Sequence, residues 1–318
     1  VFTAGGDIRA AAFLTGLILG SALLAGPLAA QTDKNWDTCI ATDGTPDSRL
    51  AACTAVIEAK SETGRRLAGV YCIRGHELTE RRELDAALAD LDEAIRLDPT
   101  YACAFNNRGR AYGLQREYDR AIADYNEALR IDPTFALAYN NRGVAWRSKG
   151  DLDQAIADFS MAIRLNPTFA LAYSNRGFAW YTKREPKLAI EDYSVEIRIA
   201  PNLMAFINRG NAHRGTEQLD RAAADYGEVI RIAPSDARGW RNRGMIRLWQ
   251  ENYKAGIADY DKALQYDPSD VSSWNNRGIA KMRSGDKRGA IADFRKALEL
   301  KPGLEIALAS LKRLGVNP

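Results

Sequence analysis

Residues 102–135 read ACAFNNRGRAYGLQREYDRAIADYNEALRIDPTF, and residues 136–169 read ALAYNNRGVAWRSKGDLDQAIADFSMAIRLNPTF. Each string is 34 residues long, and the two are nearly the same. One unit repeated at this period specifies a solenoid, because each copy buries its apolar face only against its neighbours. Three marks carry the register along the chain. An Arg recurs at Arg74, Arg108, Arg142, Arg176, Arg209, Arg243 and Arg277. A Pro recurs at Pro99, Pro133, Pro167, Pro201, Pro234, Pro268 and Pro302. An Asp recurs at Asp90, Asp124, Asp158, Asp192, Asp225, Asp259 and Asp293. All three series step by 34 except once, where a single residue is missing between Pro201 and Leu203. Seven copies result, from Ala68 to Leu304.

The length of 318 residues would ordinarily suggest two globular domains, but the repeat makes this one elongated domain. A formal charge of +3 is close to balance and lacks the concentrated Lys/Arg stripe of a nucleic-acid binder. Two His in the whole chain argue against a His-based metal or catalytic centre. No GxSxG, Walker loop, GxGxxG or HExxH is present, so the chain is read as non-catalytic, with no cofactor and no metal.

Each copy reads as two helices. In the second, Phe105, Gly109 and Tyr112 share one helical face, and Ala121, Ile122, Tyr125, Ala128 and Leu129 share another. Pro133 ends the second helix, because it lacks an N–H and disfavours helical geometry in the residue before it. Gly150 and Gly285 read as C-caps of first helices. Phe105, Gly109, Tyr112, Ala121, Tyr125, Ala128 and Pro133 together resemble the signature of the tetratricopeptide repeat. The resemblance covers residues 68–304. It implies an all-α fold, a right-handed superhelical solenoid of helix–turn–helix repeats, acting as a protein-interaction scaffold.

Two departures stand out. Arg replaces the usual Leu before the Gly in every copy, and His213, Arg247 and Lys281 replace the aromatic found at Tyr112, Trp146 and Trp180. Every copy with the Arg also has the second-helix Asp. This pairing predicts an ion pair within a repeat or between adjacent repeats, since a partly buried Arg without an acid is costly. The alternative is that these Arg line a ligand groove.

The resemblance also places a concave groove. An Asn precedes the Arg at Asn107, Asn141, Asn175, Asn208, Asn242 and Asn276. By that resemblance the series faces the groove and holds the backbone of an extended peptide, because an amide both donates and accepts. The competing reading is a polar network that fixes repeat stacking. Other groove positions carried across include Arg110, Asn140, Arg147, Phe178, Tyr181, Arg214, Arg238, Arg241, Trp249 and Asn275, with Glu80 as an acid among them. This cationic lining suits a partner peptide with acidic residues or a free C-terminal carboxylate. A second class of function remains open: a structural or self-associating component of a cell-envelope assembly, working through its convex face or its ends.

The flanks complete the reading. Val1–Ala30 reads as a signal peptide, with Arg9 before the apolar run Ala10–Ala25 and a small-residue end before Gln31. An uncleaved anchor is the alternative, although that run is shorter than a span of about 20 residues. The expected location is periplasmic or secreted, with no membrane span in the mature chain. Residues 31–67 read as a degenerate N-terminal cap and residues 305–318 as a C-terminal capping helix. In that helix Ile306, Leu308, Leu311 and Leu314 are expected to cover the last repeat. Cys39 and Cys53 flank a turn and are expected to form a disulfide stapling the leading end, and a second bridge between Cys72 and Cys103 stays open. Reduced cysteines acting as small hydrophobes are the alternative.

Overall fold

The structure, a computed structural model, describes residues 27–41 and 43–317. The expected signal segment falls mostly outside them. Of Val1–Ala30 only the last four residues are described, and they open helix α1 (Pro27–Ile40). The described residues form 17 α-helices packed in consecutive pairs. They divide into two compact units that meet in sequence at Leu165 and Asn166.

The first unit holds a leading pair, α1 and α2 (Pro46–Ala59), and then three repeats. These are α3 (Gly64–Glu80) with α4 (Leu84–Leu97), α5 (Ala102–Leu114) with α6 (Tyr118–Ile131), and α7 (Ala136–Lys149) with α8 (Leu152–Leu165). The second unit holds four repeats. They are α9 (Ala170–Thr182) with α10 (Pro186–Ile199), α11 (Leu203–Gly215) with α12 (Leu219–Ile232), α13 (Ala237–Trp249) with α14 (Tyr253–Tyr266), and α15 (Val271–Arg283) with α16 (Lys287–Leu300). The short α17 (Glu305–Arg313) follows them.

The signature residues pack as their types require. Gly109, Tyr112, Ala121, Ile122, Tyr125, Ala128 and Leu129 are all buried. A Cβ at Gly109 would lie 2.9 Å from the Tyr125 ring and 3.0 Å from the Ala121 carbonyl oxygen. Only Gly therefore lets α5 approach α6 this closely, and Gly143 meets the Phe159 ring in the same way. First helices end in a left-handed residue. Gly150 (φ 93°) and Gly285 (φ 94°) do so as expected, but Arg82, Arg116, Arg184, Glu217 and Glu251 adopt it too, with φ from 59° to 66°. At Arg116 the reason is visible: its N–H donates to Gly113 O (3.1 Å) and the next N–H, of Glu117, donates to Tyr112 O (2.9 Å). This Schellman arrangement satisfies the last carbonyls of α5.

The one-residue deletion is absorbed locally. The other early copies plug this joint with an aromatic, Tyr101 packing by Ala94 and Phe135 by Ala128. The shortened turn instead has Asn202, whose side chain caps α11 by accepting from Ala205 N (2.9 Å). Its amide also donates to Glu196 Oε1 (3.2 Å). Glu196 is buried at the place where Ala94 and Ala128 stand in earlier copies, so a larger side chain accompanies the missing aromatic.

The two ends differ in how they match expectation. Cys39 and Cys53 lie at disulfide distance, in a buried cluster with Ala52, Val56 and Val70. At the other end Ile306 does not cover the last repeat. It is 57% exposed, and Ala307, Ser310 and Leu311 are buried instead. These three, with Leu314 packed beside them, follow an i, i+3, i+4, i+7 stripe, and Ile306 falls one step off it.

Candidate functional site

The recurrent Arg is a structural bolt. In all seven copies its Nε and Nη2 donate to both oxygens of the Asp on the same repeat's second helix, at 2.6–3.0 Å. Its guanidinium lies 4.6–5.8 Å from the ring of the aromatic three residues earlier, for example Arg142 beside Tyr139 and Arg277 beside Trp274. That i, i+3 stacking adds a cation–π contact the sequence reading did not include. The remaining Nη1 reaches the preceding repeat: Arg108 to Asp92 (2.8 Å), Arg142 to Asn126 (2.7 Å), Arg209 to Ser194 (3.2 Å) and Arg277 to Asp261 (2.6 Å). Both forms of the expected ion pair, within and between repeats, are present.

The same carboxylates explain the second departure from the family pattern. Arg247 and Lys281 approach Asp259 and Asp293 at 2.8 and 2.9 Å, and His213 Nε2 lies 3.9 Å from Asp225. Late repeats thus place a second nitrogen group by the Asp where early repeats have an aromatic. Burial pushes the Asp124 and Asp192 carboxyls up, outweighing the pull of Arg108 and Arg176. Burial likewise pushes the His213 imidazole down.

The Asn series divides. All six members are half-buried on first helices. In the first unit two of them join a directed relay. Asn140 donates to Asn141 (3.4 Å), Asn141 to Asn106 (3.0 Å), Asn106 to Asn107 (3.2 Å), and Asn107 to Cys72 Sγ (3.3 Å) and Cys103 Sγ (3.7 Å). The relay crosses α7, α5 and α3 and ties three repeats together, as the stacking reading expects. In the second unit Asn275 donates to Asn276 (3.2 Å). Asn175 lies on α9, Asn208 on α11 and Asn242 on α13. Asn140 and Asn275, expected on the groove surface, are buried. Their amides are internal because they sit one residue, about 100° around the helix, before the half-buried series.

The cations of the first-helix face are less free than their number suggested. Arg110 pairs with Glu80, Arg238 with Asp236 (2.6 Å) and Arg241 with Asp270 (3.4 Å). Burial opposes ionisation of Glu80, yet Arg110 holds its carboxyl below the usual range. Two of these acids, Asp236 and Asp270, are N-caps of α13 and α15, outside the positions the sequence reading counted as groove. Arg147 lies half-buried on α7.

Two places on this face can accept a ligand. In the first unit a cleft of about 220 Å³ lies between α5 and α7, lined by Arg110, Leu114, Tyr125, Asn141, Val144 and Ser148. It brings Arg110 and Asn141 together. In the second unit Arg214 on α11 reaches α13, with Nη1 3.6 Å from Met245 Sδ and the guanidinium 5.8 Å from the Trp249 ring. Trp249 is 52% exposed and Phe178 on α9 is 43% exposed. Tyr181 and Arg214 both act on the Tyr226 hydroxyl, which burial pushes up to about 12 and which donates to Asn211 Oδ1 (2.8 Å). The face therefore offers a guanidinium framed by a thioether and an open indole. Among the described residues no helix is long and apolar enough to cross a membrane.

Comparison with known proteins agrees with this geometry. A tetratricopeptide-repeat family model matches residues 102–135 and 136–169, a second TPR-repeat model matches 75–116, and a third tetratricopeptide-repeat model matches 207–255 and 246–305. No curated protein matches the chain. Among solved structures, the C-terminal part of a TPR repeat-containing protein from Cytophaga hutchinsonii is similar over 74% of this chain and 98% of its own, with a TM-score of 0.64 and 18% identity. YrrB, described as a TPR protein with an unusual peptide-binding site, is similar over 59% of this chain and 97% of its own, with a TM-score of 0.54 and 20% identity. The pilF protein of Pseudomonas aeruginosa is similar over 67% of this chain and 97% of its own, with a TM-score of 0.56 and 16% identity. At these identities the likeness is one of fold. No catalytic family matches, and the matched repeats are typically non-catalytic. The chain belongs to the tetratricopeptide-repeat family, whose repeat domains are generally protein-interaction scaffolds.

Proposed function

We propose that the chain is a non-catalytic scaffold that holds an extended peptide of a partner protein along its first-helix face. The observation carrying this reading is the Arg214–Met245–Trp249 cluster of the second unit, where a cation stands beside an exposed indole. An Arg beside an aromatic anchor is the combination that dominates binding energy at interfaces. A guanidinium in that setting takes a carboxylate by a two-pronged hydrogen bond. The partner segment is therefore acidic or ends in a free carboxylate, and Phe178 and Tyr181 supply apolar contact next to it. Asn208 and Asn242, on α11 and α13, grip its backbone. The first unit, taken by itself, offers Arg110, Arg147 and Asn141 as a separate and lesser place, because Arg110 already has Glu80 and Asn141 already donates within the relay.

Within the same reading Val1–Ala30 is an export signal, residues 31–67 and 305–318 cap the repeats, and the mature chain works in a periplasm or outside the cell. The Cys39–Cys53 pair at disulfide distance favours an oxidising compartment. N-terminal sequencing of the exported protein checks the cleavage, with Gln31 as the expected first residue.

Selection from a display library of extended peptides tests the binding role. Enriched sequences carry Asp, Glu or a terminal carboxylate, and their affinity falls at least tenfold on Arg214→Ala or Trp249→Ala. Equal enrichment with both variants overturns the assignment. One observation favours a second reading, association through an end of the array: Ile306 stands exposed on α17.

A further inference from the structure

Cys72 and Cys103 meet in a way that packing alone does not require. Cys72 is buried on α3, in a cluster with Leu91, Ala94 and Ala104, and Cys103 is half-buried near the start of α5. Both sulfurs converge on one nitrogen: Asn107 Nδ2 is 3.3 Å from Cys72 Sγ and 3.7 Å from Cys103 Sγ. Tyr101 packs against the same cluster. In register, Cys72 stands where the next copies have Asn106 and Asn140, so it receives the last donation of the amide relay.

The arrangement is asymmetric. Cys103 is the less buried residue of the two, and its sulfur accepts from Asn107. Donation from Cys72 draws its thiol below the ordinary range, against its burial and with help from Asn107. Cys72 is the opposite case: its bond to Cys103 and its burial hold its thiol well above that range. A thiolate favoured at the less buried position and a thiol held in reserve beside it is the division of labour of exchange-active pairs.

We propose that Cys72 and Cys103 form a thiol–disulfide exchange site for small-molecule disulfides, with Cys103 as the attacking sulfur, Cys72 as the resolving sulfur and Asn107 as the residue that positions both. The Cys103 thiolate attacks one sulfur of RS–SR, a Cys103–SR mixed disulfide forms, and RS⁻ leaves. Cys72 gives its proton to the departing thiolate and attacks Cys103 Sγ, and the second RS⁻ leaves and is protonated from water. Two cysteine thiols are oxidised to one disulfide, and RS–SR is reduced to two RSH. The product joins α3 to α5, and so the first repeat to the second. It also removes the acceptors at the end of the relay, which releases the Asn107 amide to another partner. The inference rests on these three residues and is independent of whether the first-helix face holds a peptide.

The test exposes the full chain, with its Cys39–Cys53 bond intact, to oxidised glutathione, followed by peptide mapping without reduction. The expected product is a Cys72–Cys103 bridge. Cys72→Ser is expected to stop at one glutathionyl group on Cys103, and Cys103→Ser to take up none. The rate of Cys103 alkylation against pH supplies a readout that mere structural support would not move. Its midpoint shifts upward in Asn107→Leu and returns toward the parent value in Asn107→Gln. Two free thiols surviving in the parent, glutathionylation at Cys72, or exchange into Cys39 or Cys53 each overturn the proposal. An alkylation midpoint unmoved by Asn107→Leu removes Asn107 from it. Since the parent protein itself gives the first result, the outcome does not hang on the folding of any variant.

Discussion

Removing Arg142 strands a buried carboxylate. Asp158 accepts from Arg142 Nη2 at 2.7 Å and from Nε at 2.8 Å, and its side chain is 8% exposed against 21% for Arg142. Arg142→Met keeps an apolar stem against Tyr139 but leaves Asp158 charged, out of water and without two strong donors. Breaking a buried pair from one side costs about 3–5 kcal/mol, and the partial exposure of Arg142 places this case near the lower figure, about 3 kcal/mol. Asp158→Leu is milder, about 1–2 kcal/mol, because a one-fifth exposed guanidinium can turn to water. The double variant, Arg142→Met with Asp158→Leu, restores an apolar joint and costs no more than about 1 kcal/mol, since such replacements are often neutral or better. The upward push of burial on Asp124 and Asp192, in the same geometry, supports this. Repeats of an array open locally, so the assay that reads this joint is amide hydrogen exchange over α7 and α8 in the full chain. Arg142→Met is expected to speed exchange there roughly a hundredfold, at about 1.4 kcal/mol per factor of ten, and the double variant to recover most of it. Unchanged exchange in Arg142→Met, or a double variant as damaged as the sum of the singles, rules out a stranded Asp158 carboxylate as the cause.

Three further outcomes follow from the same structure. Arg184→Gly, at φ 66°, relieves a left-handed non-glycine residue and is expected to stabilise by about 1 kcal/mol in thermal melts, as Gly150 and Gly285 already serve their own copies. Gly143→Ala places a Cβ 2.7 Å from the Phe159 ring and 3.1 Å from Ala155 O, and is expected to cost about 1–3 kcal/mol by denaturant titration. Glu196 gives a pH dependence: burial raises its carboxyl pKa despite hydrogen bonds from Asn202 and Ser174, so the folded state holds its proton longer than the unfolded chain. Its contribution is therefore full below the ordinary glutamate range and is lost as pH rises through the raised folded value. Glu196→Gln is expected to flatten that decline in melting temperatures measured from acid to neutral pH.

How much of this was legible depended on range. The 34-residue period placed the helix pairs, and the match of each recurrent Arg with an Asp 16 residues later foretold the seven Arg–Asp pairs, because both marks recur together. Cys39 and Cys53 were readable from the turn between them. The left-handed residues were visible only where glycine marked them. Arg82, Arg116 and Arg184 carry no such mark, and the helix ends impose the conformation. The Asn relay needed the packing of successive first helices, which decides which of two neighbouring amides turns inward, so Asn140 and Asn275 were assigned to the wrong surface. The cationic face was overcounted for a related reason: Glu80 was counted but not paired with Arg110, and the partners of Arg238 and Arg241 are helix caps. Reading only first-helix positions hides those two caps. The seven aromatic–Arg stacks were present as an i, i+3 spacing, masked because the aromatic already had a role in the family pattern.

The first-helix face around Arg214 and Trp249 is the proposed working surface. Photo-crosslinking locates that surface, with a benzophenone side chain placed singly at Phe178 or Trp249, on first helices, or at Leu188, Ile232 or Ile306, on second helices and the terminal helix. All five side chains are exposed, so the label itself disturbs little packing. With an acidic peptide from the display selection, adducts are expected from Phe178 and Trp249 alone. Adducts confined to Leu188, Ile232 or Ile306 contradict this and move the function to the outer face or the end of the array.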